Sequence, residues 1–299
     1  MKIVLVDGPN LLQRAVHAAK SHGVQLSADG VPTAALLIFI NSLSRHVRAE
    51  RPHWMVVCWD GGSHPGRLAL HPGYKLGRGS DHTDDGEDTE YGMAYRFLAL
   101  ANVQQVRYSG VEADDLIAAY WRMFSALELT KTVIVSGDRD FHQLIGEHTE
   151  IALPNSDDRV TEESFFAKNG YRPLSHPDVM ALVGDPGDGV DGVPGIGPVR
   201  AKKLLAEHDW RMQLLLAEHQ DKRLFGHEDL VRRNLALVDL TCARWPLPQL
   251  PGLMRWNPTT IGSAAWLPLR SFLDQYQLAT VRSRVESGVL WRDDRPAEG

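Results

Sequence analysis

Three apolar segments in the first half of the chain end in the same way, with an aspartate after a run typical of a buried strand. With their final aspartates these segments span residues 2–7, 54–60 and 132–138, and the aspartates are Asp7, Asp60 and Asp138. A weaker strand is predicted at 103–107, and apolar residues at helical spacing separate the strands. Strands that alternate with helices predict an α/β fold built on a parallel sheet.

The carboxyl ends of parallel strands meet at one edge of a sheet, where ligands bind in open α/β folds. We therefore expect Asp7, Asp60 and Asp138 to lie close together. One aspartate after a strand is common by chance, whereas three of them favour a shared site.

A further acidic segment, Val111–Leu116, carries Glu112, Asp114 and Asp115. Three carboxylates so close together repel one another unless cations neutralise them. Apolar residues at 116, 117, 120, 121 and 124 have helical spacing, which predicts the acids at the first turn of a helix. Taken alone, the segment has a simpler explanation, because acids complement the dipole at any helix N-terminus.

Together with acids further along the chain, these residues form a set of nine predicted metal ligands. The set is Asp7, Asp60, Glu112, Asp114, Asp115, Asp138, Asp140, Asp185 and Asp188. Carboxylates without cysteine or paired histidine ligands favour hard cations such as Mg²⁺ or Mn²⁺. Nine are too many for one ion, and two ions about 3.5–4 Å apart can activate water and stabilise the leaving oxygen of a phosphodiester. We expect Asp114 to be a direct ligand, and Glu112 and Asp115 to act directly or through water.

The net charge of −6 is at first sight unfavourable for a nucleic-acid-binding protein. Outside the nine acids, however, the chain is modestly basic, and bound cations would add positive charge at the site. The first apolar run is too short for a signal peptide, and no run approaches membrane-spanning length. Cys58 and Cys242 are predicted to be buried, reduced thiols. These features predict a cytoplasmic protein.

The composition changes after residue 175. Residues 184–198 are rich in glycine and proline, which predicts an irregular segment, and a basic helix follows at 199–205. Gly195 and Gly197 would let backbone amides approach a phosphate at the helix N-terminus, in a contact that reads no base. An ordinary turn before a solvated basic helix explains the same residues. Helical patterns also occur at 234–240 and 269–285, and the last residues, 293–299, are predicted to be flexible.

The acidic motifs occur in the order found in the 5′-nuclease, or flap endonuclease, superfamily, which the chain resembles over roughly residues 2–285. They are Val-Asp-Gly-Pro-Asn at 6–10, Val-Glu-Ala-Asp-Asp at 111–115, Ser-Gly-Asp-Arg-Asp at 136–140 and Gly-Asp-Pro-Gly-Asp-Gly at 184–189. Gly-Val-Pro-Gly-Ile-Gly at 192–197 looks like the family's helix–three-turn–helix. Asn-Leu-Ala-Leu-Val-Asp-Leu at 234–240 is similar to the stand-alone bacteriophage-type 5′–3′ exonucleases.

This resemblance implies a fold and a domain organisation. It implies a PIN-like α/β catalytic core at 1–174 with a helical arch at about 74–100. A helix–three-turn–helix DNA-binding region at 175–260 and C-terminal helices with a flexible tail at 261–299 would follow. Two carboxylate-bound divalent metals and cleavage near a junction of single strand and duplex are implied as well.

The resemblance also assigns roles to residues outside the acidic set. Tyr74-Lys75-Leu76-Gly77-Arg78 resembles a motif at the base of the arch. By that likeness Lys75 and Arg78 contact the scissile phosphate, and Tyr74 stacks on a terminal base. Without the family, Lys75 and Arg78 would be taken for surface charges. The DNA contacts of the second region would be Gly195, Gly197, Arg200, Lys202 and Lys203, and the carbonyls of Val193 and Ile196 would hold a monovalent cation, usually K⁺.

Two departures from the family pattern stand out. Gly189 and Asp191 occupy positions where the family usually has Asn and Pro, which implies a looser loop or one more carboxylate. The predicted arch is acidic, because six Asp or Glu residues and no Lys or Arg lie between Arg78 and Tyr95. An arch of this charge should attract a threaded single strand less well than a basic one.

The sequence therefore predicts a metal-dependent, structure-selective DNA 5′-nuclease with no polymerase attached. Its expected partners are branched or 5′-flapped DNA and RNA primers paired to DNA, and the expected state is a monomer. A PIN-type ribonuclease would share the carboxylate core without needing the helix–hairpin segment. A non-catalytic junction-binding protein would need the basic segments but not nine acids.

Overall fold

The computed structural model describes residues 1–22, 29–76, 86–125, 130–218, 221–257 and 263–291. The strands are β1 (Lys2–Asp7), β2 (Trp54–Cys58), β3 (Gln105–Val106), β4 (Lys131–Val135), β5 (Thr149–Ala152), β6 (Arg159–Val160), β7 (Gly184–Asp185) and β8 (Val190–Asp191). The helices of the first half are α1 (Gly8–His22), α2 (Ala34–Glu50), α3 (Pro65–Leu70), α4 (Glu90–Leu100), α5 (Ala113–Ser125) and α6 (Glu162–Asn169). Those of the second half are α7 (His176–Val183), α8 (Pro198–Ala206), α9 (Met212–Glu218), α10 (Glu228–Val238), α11 (Ser263–Gln275) and α12 (Ala279–Glu286).

The central sheet has the strand order β3-β2-β1-β4-β5-β6. The first five of these are parallel to their neighbours, and β6 pairs antiparallel with β5 at the edge. The chain order reverses between β1 and β4, and such a reversal opens a crevice at the carboxyl ends of the two strands. The predicted α/β parallel sheet is confirmed, and this crevice lies where the strand-end aspartates were expected.

The two faces of the sheet bury separate apolar clusters, as the alternation of side chains along a strand requires. Ile3 and Leu5 of β1 pack in the cluster that includes residues of α5 to α10. Val4 and Val6 point the other way, into the cluster that includes α1, α2, α4, α11 and α12. In α2 the apolar residues at helical spacing are buried, and they are Leu36, Phe39, Ile40, Leu43 and Val47. The first cluster joins residues from both sides of the predicted domain boundary at 174.

Helix α5 follows the acidic segment, as predicted, with Asp114 and Asp115 in its first turn. The Ala113 backbone N–H donates to Asp60 Oδ1 over 2.7 Å, so a strand-end aspartate caps the helix. This bond fixes the end of β2 against the start of α5 and brings the acids of both into the crevice.

Part of the predicted arch belongs to the core. Residues 90–100 form α4, whose Tyr91, Met93, Phe97 and Leu98 are buried. Arg78 and the acidic positions 81–85 lie outside the described residues.

Two sequence expectations about the second half are wrong, one for the segment from Gly184 and one for Cys242. The segment from Gly184, expected to be irregular, forms the β7–β8 hairpin around a short 3-10 helix at Pro186–Asp188. Glycines permit it, because Gly184 and Gly189 have φ of 81° and 70°. The helical pattern expected at 269–285 lies in α11 and α12, which are divided where Gln277 takes a φ of 54°. Cys242 is exposed, because it lies in the proline-rich strand-free segment after α10, whereas Cys58 is buried in β2 as expected.

That segment, residues 239–257, runs from α10 along the edge of the sheet. The Tyr120 hydroxyl donates to the Pro251 carbonyl over 2.9 Å, and the Trp256 N–H donates to the His53 carbonyl over 2.7 Å. It thereby connects the helices on one face with α11 on the other. Among the helices of the described ranges, none is long and apolar enough to cross a membrane.

Gly192→Ala should destabilise the protein, because an added Cβ would lie 2.0 Å from the Val183 carbonyl oxygen. We expect the free energy of unfolding to fall by about 1–3 kcal/mol in urea titrations. Gly252→Ala is the matched control, since an added Cβ there meets nothing within 4 Å. Equal stability of the two variants would contradict the packing of the hairpin against α7.

Candidate active site

The ends of β1 and β4 are joined by a small hydrogen-bond network around Asp7. The Ser136 hydroxyl donates to Asp7 Oδ2 over 2.6 Å and accepts the Asp138 N–H over 2.9 Å. Asn10 donates its backbone N–H to Asp7 Oδ1 over 3.1 Å, and its side-chain oxygen accepts the Gly137 N–H over 2.9 Å. The loop that carries Asp138 is thus held against the start of α1.

Four acids form what we call the strand-end group: Asp7, Asp60, Asp114 and Asp138. Burial, with the charges of Asp138 and Asp60 adding to it, raises the pKa of Asp7 to about 7 against the hydrogen bond from Ser136. Burial also holds the pKa of Asp114 well above its usual value, with Asp138, Asp7 and Asp60 adding to the shift and Lys75 opposing it. The charges of Asp7, Asp60 and Asp138 all act on Asp114, so the convergence expected from the strand ends is present in the fold.

Three acids form a second cluster, which we call the hairpin group: Asp140, Asp185 and Asp188. One carboxylate oxygen from each lies within 4.8 Å of the others. Burial raises the pKa of Asp140 well above its usual value, followed by the charges of Asp138, Asp188 and Asp185. Because the Asp140 N–H donates to Asp138 Oδ1 over 3.0 Å, the two groups are adjacent.

The three acids Glu112, Asp114 and Asp115, which we call the triple acid, do not all face the same site, because Arg67 binds two of them. The Arg67 side chain is buried, with 1% exposure. Arg67 donates to both oxygens of Asp115, over 2.5 and 2.9 Å, and to Glu112 Oε2 over 3.1 Å. Burial alone would raise the pKa of Glu112, but Lys75 and Arg67 outweigh it and hold that pKa below its usual value. The fold therefore brings Asp115 to Arg67, and of the three acids it is Asp114 that joins the strand-end group.

Lys75 lies between the triple acid and the hairpin group. Its Nζ is 2.9 Å from Glu112 Oε2 and 3.7 Å from Asp188 Oδ2, and its backbone N–H donates to the Asp188 carbonyl over 2.9 Å. Burial would lower the pKa of this ammonium, but Glu112 and the nearby Tyr74, Asp114 and Asp188 raise it well above its usual value. Lys75 is thus a permanent cation within an acidic site.

Tyr74 is buried beside Lys75, with a relative exposure of 5%. Its hydroxyl donates to Glu112 Oε2 over 3.1 Å, and the Lys75 ammonium lies 5.1 Å from its ring centroid. The predicted stacking on a terminal base stays a prediction.

The residues expected to contact DNA around α8 have partners within the chain. Arg200 Nε donates to Asp221 over 2.8 Å, Lys202 donates to the Asn169 carbonyl over 3.0 Å, and Lys203 lies 3.8 Å from Glu207. In the turn before α8, the Ile196 N–H donates to the Val193 carbonyl over 3.0 Å, Gly195 has a φ of 76°, and Gly197 is the N-cap. The DNA and monovalent-cation roles of these residues stay predictions.

Several functional residues were not singled out from the sequence. Asn10 and Ser136 stand inside the quoted motifs, so their position next to the acids was a usable signal. Arg67 had none, because it lies 45 positions before Glu112 and belongs to no motif. Gln143 is a buried amide whose partners are backbone atoms, which a sequence does not reveal. Asn234 opens the quoted motif at 234–240, but its bonds to the Ala181 and Asp191 carbonyls and from the Arg233 side chain were not predictable.

Comparison with known proteins agrees with this geometry. A family model for the 5′–3′ exonuclease, N-terminal resolvase-like domain, matches residues 2–170. A 5′–3′ exonuclease of Bacillus subtilis is 34% identical over 249 residues, which cover 79% of this chain and 83% of that protein. The chain belongs to the 5′–3′ exonuclease family. DNA polymerase I of Mycobacterium tuberculosis is 30% identical over 267 residues, which are 86% of this family member but 29% of the polymerase.

Solved structures share the fold of this 5′–3′ exonuclease family member. The T5 D15 protein co-crystallized with metal ions superposes with a TM-score of 0.66 at 19% identity, covering 97% of this chain and 100% of that one. Flap endonuclease-1 from Methanococcus jannaschii gives a TM-score of 0.55 at 13% identity, covering 97% and 92%. The resemblance to the 5′-nuclease superfamily that the motifs indicated is confirmed.

Arg67→Met should lower the free energy of unfolding of this family member by about 3–5 kcal/mol, because it leaves the buried Asp115 carboxylate without its cation. Urea titration of the metal-free protein measures the loss. Arg211→Met is the control, since Arg211 and its partner Asp209 are 60% and 78% exposed and such pairs contribute about 0–1 kcal/mol. Similar losses in both variants would contradict the division of the triple acid by Arg67.

Proposed function

We propose that this protein is a structure-selective DNA 5′-nuclease, active both as a 5′-flap endonuclease and as a 5′–3′ exonuclease. It would hydrolyse phosphodiesters to leave a 5′-phosphate and a 3′-hydroxyl. The observation that carries the proposal is the adjacency of the strand-end and hairpin groups, which are seven carboxylates at the carboxyl edge of the sheet, with Lys75 as a cation beside them. Membership of the 5′–3′ exonuclease family supports the same reaction.

The residues present fit divalent cations. The donors are carboxylate oxygens alone, they are buried or half-buried, and burial together with the charges of neighbouring carboxylates raises the pKa of Asp7, Asp114 and Asp140. Oxygen donors of this kind suit Mg²⁺ or Mn²⁺. The strand-end group would hold one ion and the hairpin group a second, with Glu112 and Asp115 acting indirectly. Such ions would supply an activated water and stabilise charge on the leaving oxygen.

Lys75 acts as a positioning and charge-stabilising group in this proposal. Its raised pKa keeps the ammonium protonated, so it is not a general base. A fixed cation at this place binds the scissile phosphate and stabilises the negative charge that develops there. We assign Arg78 the same role, from its place in the motif that begins at Tyr74.

The substrate follows from the second half of the chain. Gly195, Gly197, Arg200, Lys202 and Lys203 would contact the duplex backbone, with Tyr74 at the terminal base. Carbonyls of Val193 and Ile196 would hold K⁺ near the N-terminus of α8. We further propose that RNA primers paired to DNA are substrates, that the protein is a monomer, and that it acts in the bacterial cytoplasm, where the chromosome lies.

Asp138→Asn should reduce cleavage of a labelled 5′-flap DNA in Mg²⁺ or Mn²⁺ by a factor on the order of 10²–10³, because it removes a carboxylate that both acid groups face. Asp157→Asn is the control, since Asp157 is 94% exposed. Equal cleavage by Asp138→Asn and the wild type would disprove the proposal. If an RNA flap of the same geometry is cut faster than the DNA flap, the protein is instead a PIN-type ribonuclease. If the protein binds the junction but cleaves neither flap, it is a non-catalytic junction-binding protein.

Lys75→Ala should reduce the rate of cleavage far more than the affinity for flap DNA, because the ammonium stabilises charge that develops during the reaction. Single-turnover rates and binding by fluorescence anisotropy separate the two. Lys168→Ala, on the exposed side of α6, should change neither. If rate and affinity fall by the same factor, Lys75 serves only to bind.

A further inference from the structure

Two buried side-chain amides connect α10 to the backbone segments that carry the hairpin group. The first is Gln143, which is 1% exposed and lies in the 3-10 helix that begins at Asp140. Its Nε2 donates to the Asp140 carbonyl over 2.7 Å and to the Val238 carbonyl over 3.0 Å. Its Oε1 accepts the Leu240 N–H over 2.7 Å. Gln143 therefore ties the backbone of Asp140 to the end of α10.

The second amide, Asn234, is fully buried within α10 itself. Its Nδ2 donates to the Ala181 carbonyl over 3.0 Å and to the Asp191 carbonyl over 2.7 Å. Ala181 lies in α7 and Asp191 in β8, so the bonds hold the two sides of the hairpin that presents Asp185 and Asp188. Helix α10 is thus bonded both to the segment that carries Asp140 and to the hairpin that carries Asp185 and Asp188.

The hairpin group needs such a brace, because its members come from separate parts of the chain. Asp140 follows β4, whereas Asp185 and Asp188 lie more than forty residues later, beyond α7. Mg²⁺ requires near-ideal octahedral geometry with oxygens at about 2.0–2.1 Å. A small shift of one segment against the other would spoil that geometry, while Asp7 and the loop of Asp138, held by Ser136 and Asn10, would be unaffected.

We infer that Gln143 and Asn234 are positioning residues that set the spacing of Asp140 from Asp185 and Asp188 through α10, and so the affinity of the hairpin group for a divalent cation. The inference rests on the proposed function, since that function requires a cation at this group. Neither amide touches a carboxylate, so each acts through the backbone that it holds.

The test is Mn²⁺ binding by the full chain without DNA, followed by electron paramagnetic resonance. Gln143→Met keeps the length of the side chain and removes its hydrogen bonds, and Gln213→Met, at an exposed position of α9, is the matched control. Asp188→Asn identifies which class of bound Mn²⁺ belongs to the hairpin group. We expect Gln143→Met to weaken that class by about tenfold or more and to leave the other class and the Gln213→Met protein unchanged.

Each other outcome overturns the inference in a distinguishable way. A folded Gln143→Met protein with wild-type affinity for both classes, or with both weakened equally, leaves Gln143 a purely structural residue and the proposed function intact. Wild-type protein that binds no Mn²⁺ removes the metal premise of the proposed function as well. If Gln143→Met does not fold, Asn234→Ser is measured instead, because a hydroxyl can serve at most one of the two carbonyls. The same selective loss is expected there, and unchanged binding overturns the inference.

Discussion

Repulsion among buried carboxylates is the constraint on which the rest of this structure depends. Seven acids lie at one edge of the sheet, and their burial, with the charges of neighbouring carboxylates adding to it, raises the pKa of Asp7, Asp114 and Asp140. The fold holds three of them, Asp7, Asp60 and Asp138, in place with neutral donors, which are the Ser136 hydroxyl, the Asn10 and Ala113 backbone amides and the Asp140 N–H. These bonds orient the oxygens without cancelling their charge, so the capacity to bind cations is kept.

Charged donors, in contrast, bind the two acids that lie outside the strand-end and hairpin groups, Glu112 and Asp115. Arg67 neutralises Asp115 and shares Glu112 with Lys75, in a buried network beneath α5. An arginine suits this place because its planar fork meets both oxygens of Asp115. Lys75 differs in kind, since its single ammonium reaches Glu112 and approaches Asp188. One cation is therefore structural, and the other remains at the border of the site.

The sequence allowed prediction of whatever is periodic or comes at the end of a periodic element. Strands β1, β2 and β4 and the convergence of Asp7, Asp60 and Asp138 belong here, because parallel strands place their carboxyl ends at one edge. The order of the acidic motifs gave the family. Contacts between distant segments were not predictable: Arg67 meets Asp115 across 48 positions, and Gln143 meets Leu240 across 97. Local backbone choices, such as the left-handed Gln277 that divides the last helices, also carry no periodic signal.

The arrangement links stability to ligand binding. Ions that bind the folded site and not the unfolded chain stabilise the fold by mass action, and here they would also remove a repulsion that the metal-free fold contains. The two acid groups differ in the parts of the fold that hold their carboxylates together against this repulsion. In the strand-end group Asp7, Asp60 and Asp138 are fixed by strands of one sheet and Asp114 by the start of α5. The hairpin group instead depends on Gln143 and Asn234 to hold separate segments together. Local opening around α10 would therefore disperse the hairpin carboxylates first, and with them the half of the site that the sheet does not build.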